Sequence, residues 1–335
     1  MKKLIPILCL AAMWGAALRA DNWCQWMADA NTILGYANVK AIRAVPLMTE
    51  LINGNDNVSR FTAAVNEWTA VDLDSVTDAW FGVAGQDDAL FVLQGTFNLA
   101  IIRGRLGAIE KFRVETPANA EFTVTMPDDK KPGKLNTAAF LSPTVVAFGP
   151  PPQVEAFLGN LAQKRKHAQA ADFAMLEKPS HMVECVVLKF PNKDGKTPRF
   201  IVENTRRLHL GIDCDDVIAA QLTVQPVKPE MVDPLARIGT GLVDMIHLLP
   251  PDQIPLQGPR RMILDNATVT ATKEAIVLAS SLPVDQVRPM IARKITPAQR
   301  PAPGAQAAPA TQPAPGAQAA PATQPAPAQP AATTP

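Results

Sequence analysis

The chain has 335 residues, with 32 Lys and Arg against 31 Asp and Glu and a formal net charge of +1. With 47% hydrophobic and 19% charged residues, it is neither a wholly disordered chain nor a highly charged nucleic-acid binder. No run reaches the roughly 18 apolar positions of a spanning helix, which excludes a helical multispan membrane protein.

Met1-Lys2-Lys3 followed by the uncharged, largely apolar run from Leu4 to Leu18 reads as a secretory signal peptide over residues 1–20. Ala20 marks the expected cleavage site, with Gly15-Ala16-Ala17 as a second candidate. Neither Cys9 nor Cys24 follows the small residues that lipoprotein processing needs. Cleavage removes Lys2, Lys3 and Arg19, taking the formal charge to −2 and leaving no electrostatic pull toward nucleic acid or an anionic membrane. Cys24, Cys185 and Cys214 remain, as one disulfide with a spare thiol or as three buried thiols. The strand-like settings of Cys185 and Cys214 favour core thiols over a bridge.

From Cys24 onward the pattern is globular. Thr32 to Val39 predicts a buried strand, and Pro46 opens a short helix to Ile52. Val58, Phe61, Val65 and Trp68 recur at helical spacing. Val76–Ala84 and Ala89–Phe97, split by Gly85-Gln86-Asp87-Asp88, predict a hairpin. Asn98 caps a helix to Leu106, and strands are expected at 112–116, 121–126, 137–141 and 144–148. Pro150-Pro151-Pro152 then introduces a helix with Val154, Phe157, Leu158 and Leu161 on one face.

The second half repeats these ingredients. Strands are expected at 181–190, 199–203, 206–212 and 217–224, with a turn at Asn192-Lys193-Asp194-Gly195. A long helix follows from Pro229 to Leu249, its apolar stripe running through Val232, Leu235, Ile238, Leu242 and Met245. After a Pro-rich loop comes a hairpin of 262–270 with 275–282, and Pro283 opens a last helix. Residues 301–312, PAPGAQAAPATQ, recur unchanged at 313–324. This charge-free tail has nothing to bury and is expected to be disordered.

The run of "VPLMTELI", "LFVLQGTF", "TVVAFGPPPQVEAFL", "LHLGIDCDDVIAAQLTV" and "NATVTATKEAIVLASSLPVDQVRPMI" resembles a loose group of uncharacterised exported α+β proteins of Gram-negative bacteria. The resemblance spans residues 25–293 by pattern, and Ala28-Asp29-Ala30-Asn31 partly fits the acidic turn before the group's first strand. It implies an α+β fold of two related halves, each a mainly antiparallel sheet with helices packed on one face. The expected divisions are 21–170, 171–295 and the disordered tail 296–335. No activity comes with it.

Chemistry-bearing motifs are sparse. The densest polar constellation is His209 with Asp213, Asp215 and Asp216, hard oxygen ligands for Ca²⁺ on one reading. The spacing matches no EF-hand, and Asp residues favour β-turns by bonding their own backbone, so a turn between strands is the preferred reading. HExxH, GxSxG, SxxK, GxGxxG and GxxxxGK are missing from the sequence, and no cofactor is expected. Gly239-Thr240-Gly241 reads as a close helix–sheet contact, and Trp23 with Trp26 as a segment packed back on the domain. The expectation is a non-catalytic envelope module whose partner is an envelope protein or cell-wall glycan. The alternative is a periplasmic hydrolase with an acid/base or metal site near Asp213–Asp216.

Overall fold

The computed structural model of the protein describes residues 22–54, 73–85, 88–127, 131, 133–189, 199–248, 262 and 265–295. The signal segment, the helix expected through Val58 and Trp68, the Asn192–Gly195 turn, the loop after Pro250 and the repeat tail lie outside them.

Alternating apolar runs build one antiparallel sheet of twelve strands among the described residues. The first seven are β1 (Ile33–Ala37), β2 (Val76–Val83), β3 (Ala89–Gly95), β4 (Arg113–Glu115), β5 (Phe122–Pro127), β6 (Leu135–Ser142) and β7 (Val145–Gly149). The others are β8 (Val183–Val187), β9 (Thr205–Cys214), β10 (Val217–Pro226), β11 (Thr268–Ala271) and β12 (Ile276–Pro283). In space they run β11-β12-β10-β9-β8-β1-β2-β3-β7-β6-β5-β4.

Read outward from the β1/β8 junction, the two sides match. β1-β2-β3-β7-β6 corresponds to β8-β9-β10-β12-β11, and the first half adds the β4–β5 hairpin at its edge. The expected halves are thus arms of one continuous sheet, joined where Ile33–Ala37 pairs with Val183–Val187.

The helices are α1 (Val39–Ala44), α2 (Pro46–Gly54), α3 (Leu99–Gly107), α4 (Pro151–Gln163), α5 (Arg199–Asn204), α6 (Val232–Leu248) and α7 (Val284–Ile295). Asn38 and Asn98 cap α1 and α3 by accepting from Ala41 N and Ile101 N. Pro151 and Pro152 start α4, where a backbone N–H has no helical partner to lose.

Side chains alternate across the sheet, so each face has its own core. On one face of the first half, Leu34, Tyr36, Trp80, Leu90, Val92, Ala139 and Ala147 pack beneath Val154, Phe157 and Leu158 of α4. Trp23 is buried there and Trp26 packs against the same cluster, as expected of that segment. On the opposite face, Ile102 and Leu106 of α3 cover Phe122, Val124, Phe140 and Val146. In the second half, α6 packs Val232 and Leu235 against Val224, Val269, Ile276 and Leu278. Gly239 of α6 faces Val269, where an added Cβ would stand 3.5 Å from its methyl. Nothing lies within 4 Å of such an atom at Gly241, so the close contact belongs to Gly239 alone.

Two expectations change. Residues 199–203, read as a strand from Ile201 and Val202, form helix α5. Arg199 Nε bonds Glu203 Oε1 at 2.5 Å one turn on, and Asn204 Nδ2 bonds the Phe200 carbonyl at 2.8 Å. Strand β11 starts at Thr268, because Asn266 closes a turn onto the Met262 carbonyl through both its backbone N–H and its side chain. The three cysteines among the described residues are thiols: Cys24 and Cys214 are buried and Cys185 half-buried. Burial pushes the Cys185 thiol up to about 11, so it stays protonated at neutral pH.

Candidate functional site: a polar seam across the sheet junction

Register brings together residues far apart in sequence. Trp80 (β2), Tyr36 (β1), Glu184 (β8), Gly211 (β9) and Gln221 (β10) stand opposite one another in a row across the junction. Opposed residues share a face, so this row links the apolar core under α4 to the polar face of the second half. Glu184 is the buried charge where the two meet, at 1% exposure.

The loop entering β8 wraps around that carboxylate. Glu184 Oε1 accepts from Ser180 N at 2.6 Å, Ser180 Oγ at 3.0 Å and His181 N at 2.9 Å. Oε2 lies 3.4 Å from His209 Nε2, within ion-pair reach. Burial alone would push the Glu184 carboxyl up. His209 and the loop donors outweigh it and hold the group below its ordinary range.

Next along β9, Asp213 Oδ1 accepts from Met182 N at 2.8 Å and Oδ2 meets His181 Nδ1 at 2.6 Å. The His181 ring lies directly over Gly211, where an added Cβ would fall 2.3 Å from its Cδ2. Glycine at 211 is what lets the imidazole lie on the strand between His209 and Asp213.

The constellation picked out from sequence is therefore divided. His209 and Asp213 share one face of β9 but pair separately, with Glu184 and His181. Asp215 and Asp216 are exposed in the tight β9–β10 turn, where Asp215 N bonds the Val217 carbonyl and Asp216 O accepts from Val284 N. Among the described residues, no three His, Cys, Asp and Glu side chains gather as a metal-holding set.

Two clefts flank Glu184. One, of about 250 Å³, is lined by His181, Asp213, Gln221, Asn266, Thr268 and Ser281. The other, of about 340 Å³, is lined by Tyr36, Lys40, Asp78, Trp80, Gln94 and Glu177 among others. Tyr36 donates its hydroxyl to Asp78 Oδ1 at 2.6 Å. Burial first, then that carboxylate, raises the Tyr36 phenol far above its usual range, so it remains a donor.

Sequence reasoning passed over His181, Glu184, Asp78 and Gln94. The available signal was a polar residue at an inward position of an apolar strand, as in VECVV and ALFVLQG.

No family model matches the chain, and no curated protein matches it. It is similar to solved structures of TP0453. Crystal form III aligns at TM-score 0.48 and 9% identity, covering 81% of this chain and 97% of that one. Form IV aligns at 0.46 and 9%, covering 78% and 92%. Form I aligns at 0.41 and 8%, covering 79% and 94%. No helix among the described residues is long and apolar enough to cross a membrane.

Proposed function

We propose that the chain is an exported protein of the Gram-negative cell envelope that acts as a non-catalytic binding or scaffold module. Its Pro/Ala/Gln repeat, by composition, would serve as a spacer. The observation that carries this reading is how the ionisable groups of the seam are engaged. Glu184 accepts three hydrogen bonds from the 180–181 loop, and Asp213 is bonded to both Met182 N and His181. A general acid or base needs a proton or lone pair free to meet substrate. Here Glu184 Oε1 and both Asp213 oxygens instead fasten a loop between two clefts, and Glu184 Oε2 faces His209 Nε2 at 3.4 Å. Expressed in a Gram-negative host, the chain should lose residues 1–20 and co-sediment with purified envelopes. An intact N-terminus, or equal partition with cytosol, would sink the proposal.

One observation favours a second reading, a periplasmic hydrolase: the 2.6 Å His181–Asp213 pair lines the same cleft as Ser281. Its metal form would use His209, Asp213, Asp215 and Asp216. Hydrolysis of ester or glycoside substrates that Asp213→Asn abolishes, or that requires added Ca²⁺ or Zn²⁺, would replace the binding reading.

A further inference from the structure

We infer that the cleft between strands β1 to β3 and the 3₁₀ helix Ala170–Glu177 is a saccharide subsite that takes one neutral sugar ring. The inference rests on the binding-module reading and names its ligand class. Its floor is the Tyr36–Trp80 pair, with ring centroids 5.3 Å apart and planes tilted by 57°. Trp80 is 5% exposed and Gln94 7%, and both line the cleft. Trp80 Nε1 and Gln94 Oε1 are each buried without a hydrogen-bond partner. Buried polar atoms are normally satisfied, and these two orphans belong to residues that line one cleft, so each calls for a partner. One is a donor only and the other an acceptor. Sugar hydroxyls can meet both needs, since a hydroxyl accepts from an indole N–H and donates to an amide oxygen.

The rim extends the same chemistry. Asp78 is a carboxylate acceptor that already holds Tyr36 OH. Asn38 spends its Oδ1 on the Ala41 N–H of the α1 cap, which leaves its amide N–H₂ as the group able to donate to a ligand. Lys40 and Glu177 stand at the opening, and with Asp78 they leave a net charge of −1, which disfavours an anion. A mixed set of donors and acceptors beside aromatic rings fits a polyol ring, whose hydroxyls both give and accept. The volume of about 340 Å³ is at the lower end of ligand pockets, sized for one ring rather than a chain.

The test is calorimetric titration of the full mature chain with N,N′-diacetylchitobiose, maltose and, as a charged control, spermidine. It is run for wild type, Trp80→Phe and Gln94→Met. Trp80→Phe removes the N–H and keeps an aromatic ring; Gln94→Met removes the amide and keeps the length. Either sugar should bind wild type, and each variant should weaken it by about tenfold or more without lowering the melting temperature. Three results would overturn the subsite: no sugar binding at millimolar concentration, sugar affinity unmoved in both variants, or spermidine bound in place of sugar. Envelope co-sedimentation of the same samples separates the levels. If it persists while no sugar titrates, the subsite falls and the envelope reading stands; if wild type does not co-sediment, that reading falls.

Discussion

The two arms of the sheet follow the same strand order but are covered differently. In the first, α4 packs on one face and α3 on the other, and both layers are apolar. In the second, α6 covers one face at Ile276, while the helix in the place of α4 takes the same side. Val284 of α7 packs with Cys214, Ile218, Val45 and Leu47, all on or beside that face. The opposite face, carrying Arg207, His209, Asp213, Gln221 and Thr223 on β9 and β10, is met instead by the 180–182 loop, which bonds Asp213, and by the short 3₁₀ helix Ala170–Glu177, whose Asp172 bonds Arg207. A duplicated topology thus yields one arm with a long apolar helix on each face and one with its long helices on a single face, and the polar seam with both clefts lies where they meet. Moving one helix from one face to the other leaves a face for polar chemistry without altering the strand order.

The sharpest way to break this comparison is to strip the apolar layer of the covered arm. Phe157 is fully buried on the inner face of α4. Phe157→Ala should cost about 3–5 kcal/mol in urea denaturation. Leu242→Ser, on the open side of α6 at 48% exposure, should stay within about 0.5 kcal/mol. Equal losses would mean that the arms are not differently covered. Next in size is Glu184→Ala, which leaves Ser180 N, His181 N and His209 facing a void. It should cost about 3 kcal/mol, with Glu184→Gln recovering much of this because its amide oxygen still accepts from the loop. If the two variants unfold alike, the loop bonds are not what the carboxylate supplies.

Strands, caps and the hairpins were legible because their signals are local. Asn98 does cap its helix, Pro151 does start α4, and the Gly85–Asp88 break does separate β2 from β3. The seam was only half legible. His209 and Asp213 drew attention as neighbours, but their partners lie 25 and 32 positions away and arrive through β8–β9 register. Which face a helix covers was hidden too, since α7 carries an apolar stripe that would suit either side of β12. Residues 199–203 misled because Ile and Val signal strands, whereas the i,i+4 pairs that settle such a short segment carry no strong sequence mark.

Gly211 offers a finer probe of the second arm. Gly211→Ala puts a methyl where the His181 ring lies, so the ring must leave the strand and release Asp213 Oδ2. A loss of about 1–3 kcal/mol is expected, with melting of the 180–182 amides visible in hydrogen exchange. Exchange at those amides unchanged from wild type would mean that His181 does not depend on the glycine.

The smallest effect separates the arms by pH. His167, buried in the covered arm, has its ring nitrogens 3.4 Å from Asn31 O and 3.1 Å from Gln169 N. Burial holds it below its ordinary value of 6.5, against the upward pull of the Asn31 carbonyl and of Asp29. The unfolded chain therefore takes up this proton more readily than the folded one. Its stability contribution is whole above about pH 6.5 and declines as pH falls below. Glu184, held below 4.5 in the folded state, contributes fully above pH 4.5 and loses its share only on further acidification. Melting temperature should accordingly fall in two stages as the pH is taken from about 8 down to about 2, the histidine stage beginning below about 6.5 and the Glu184 stage only below about 4.5. His167→Gln should remove the upper stage and leave the lower, while Glu184→Gln should do the reverse. A single stage abolished by either variant would couple the two arms through one titration and end the picture of separate electrostatic loads.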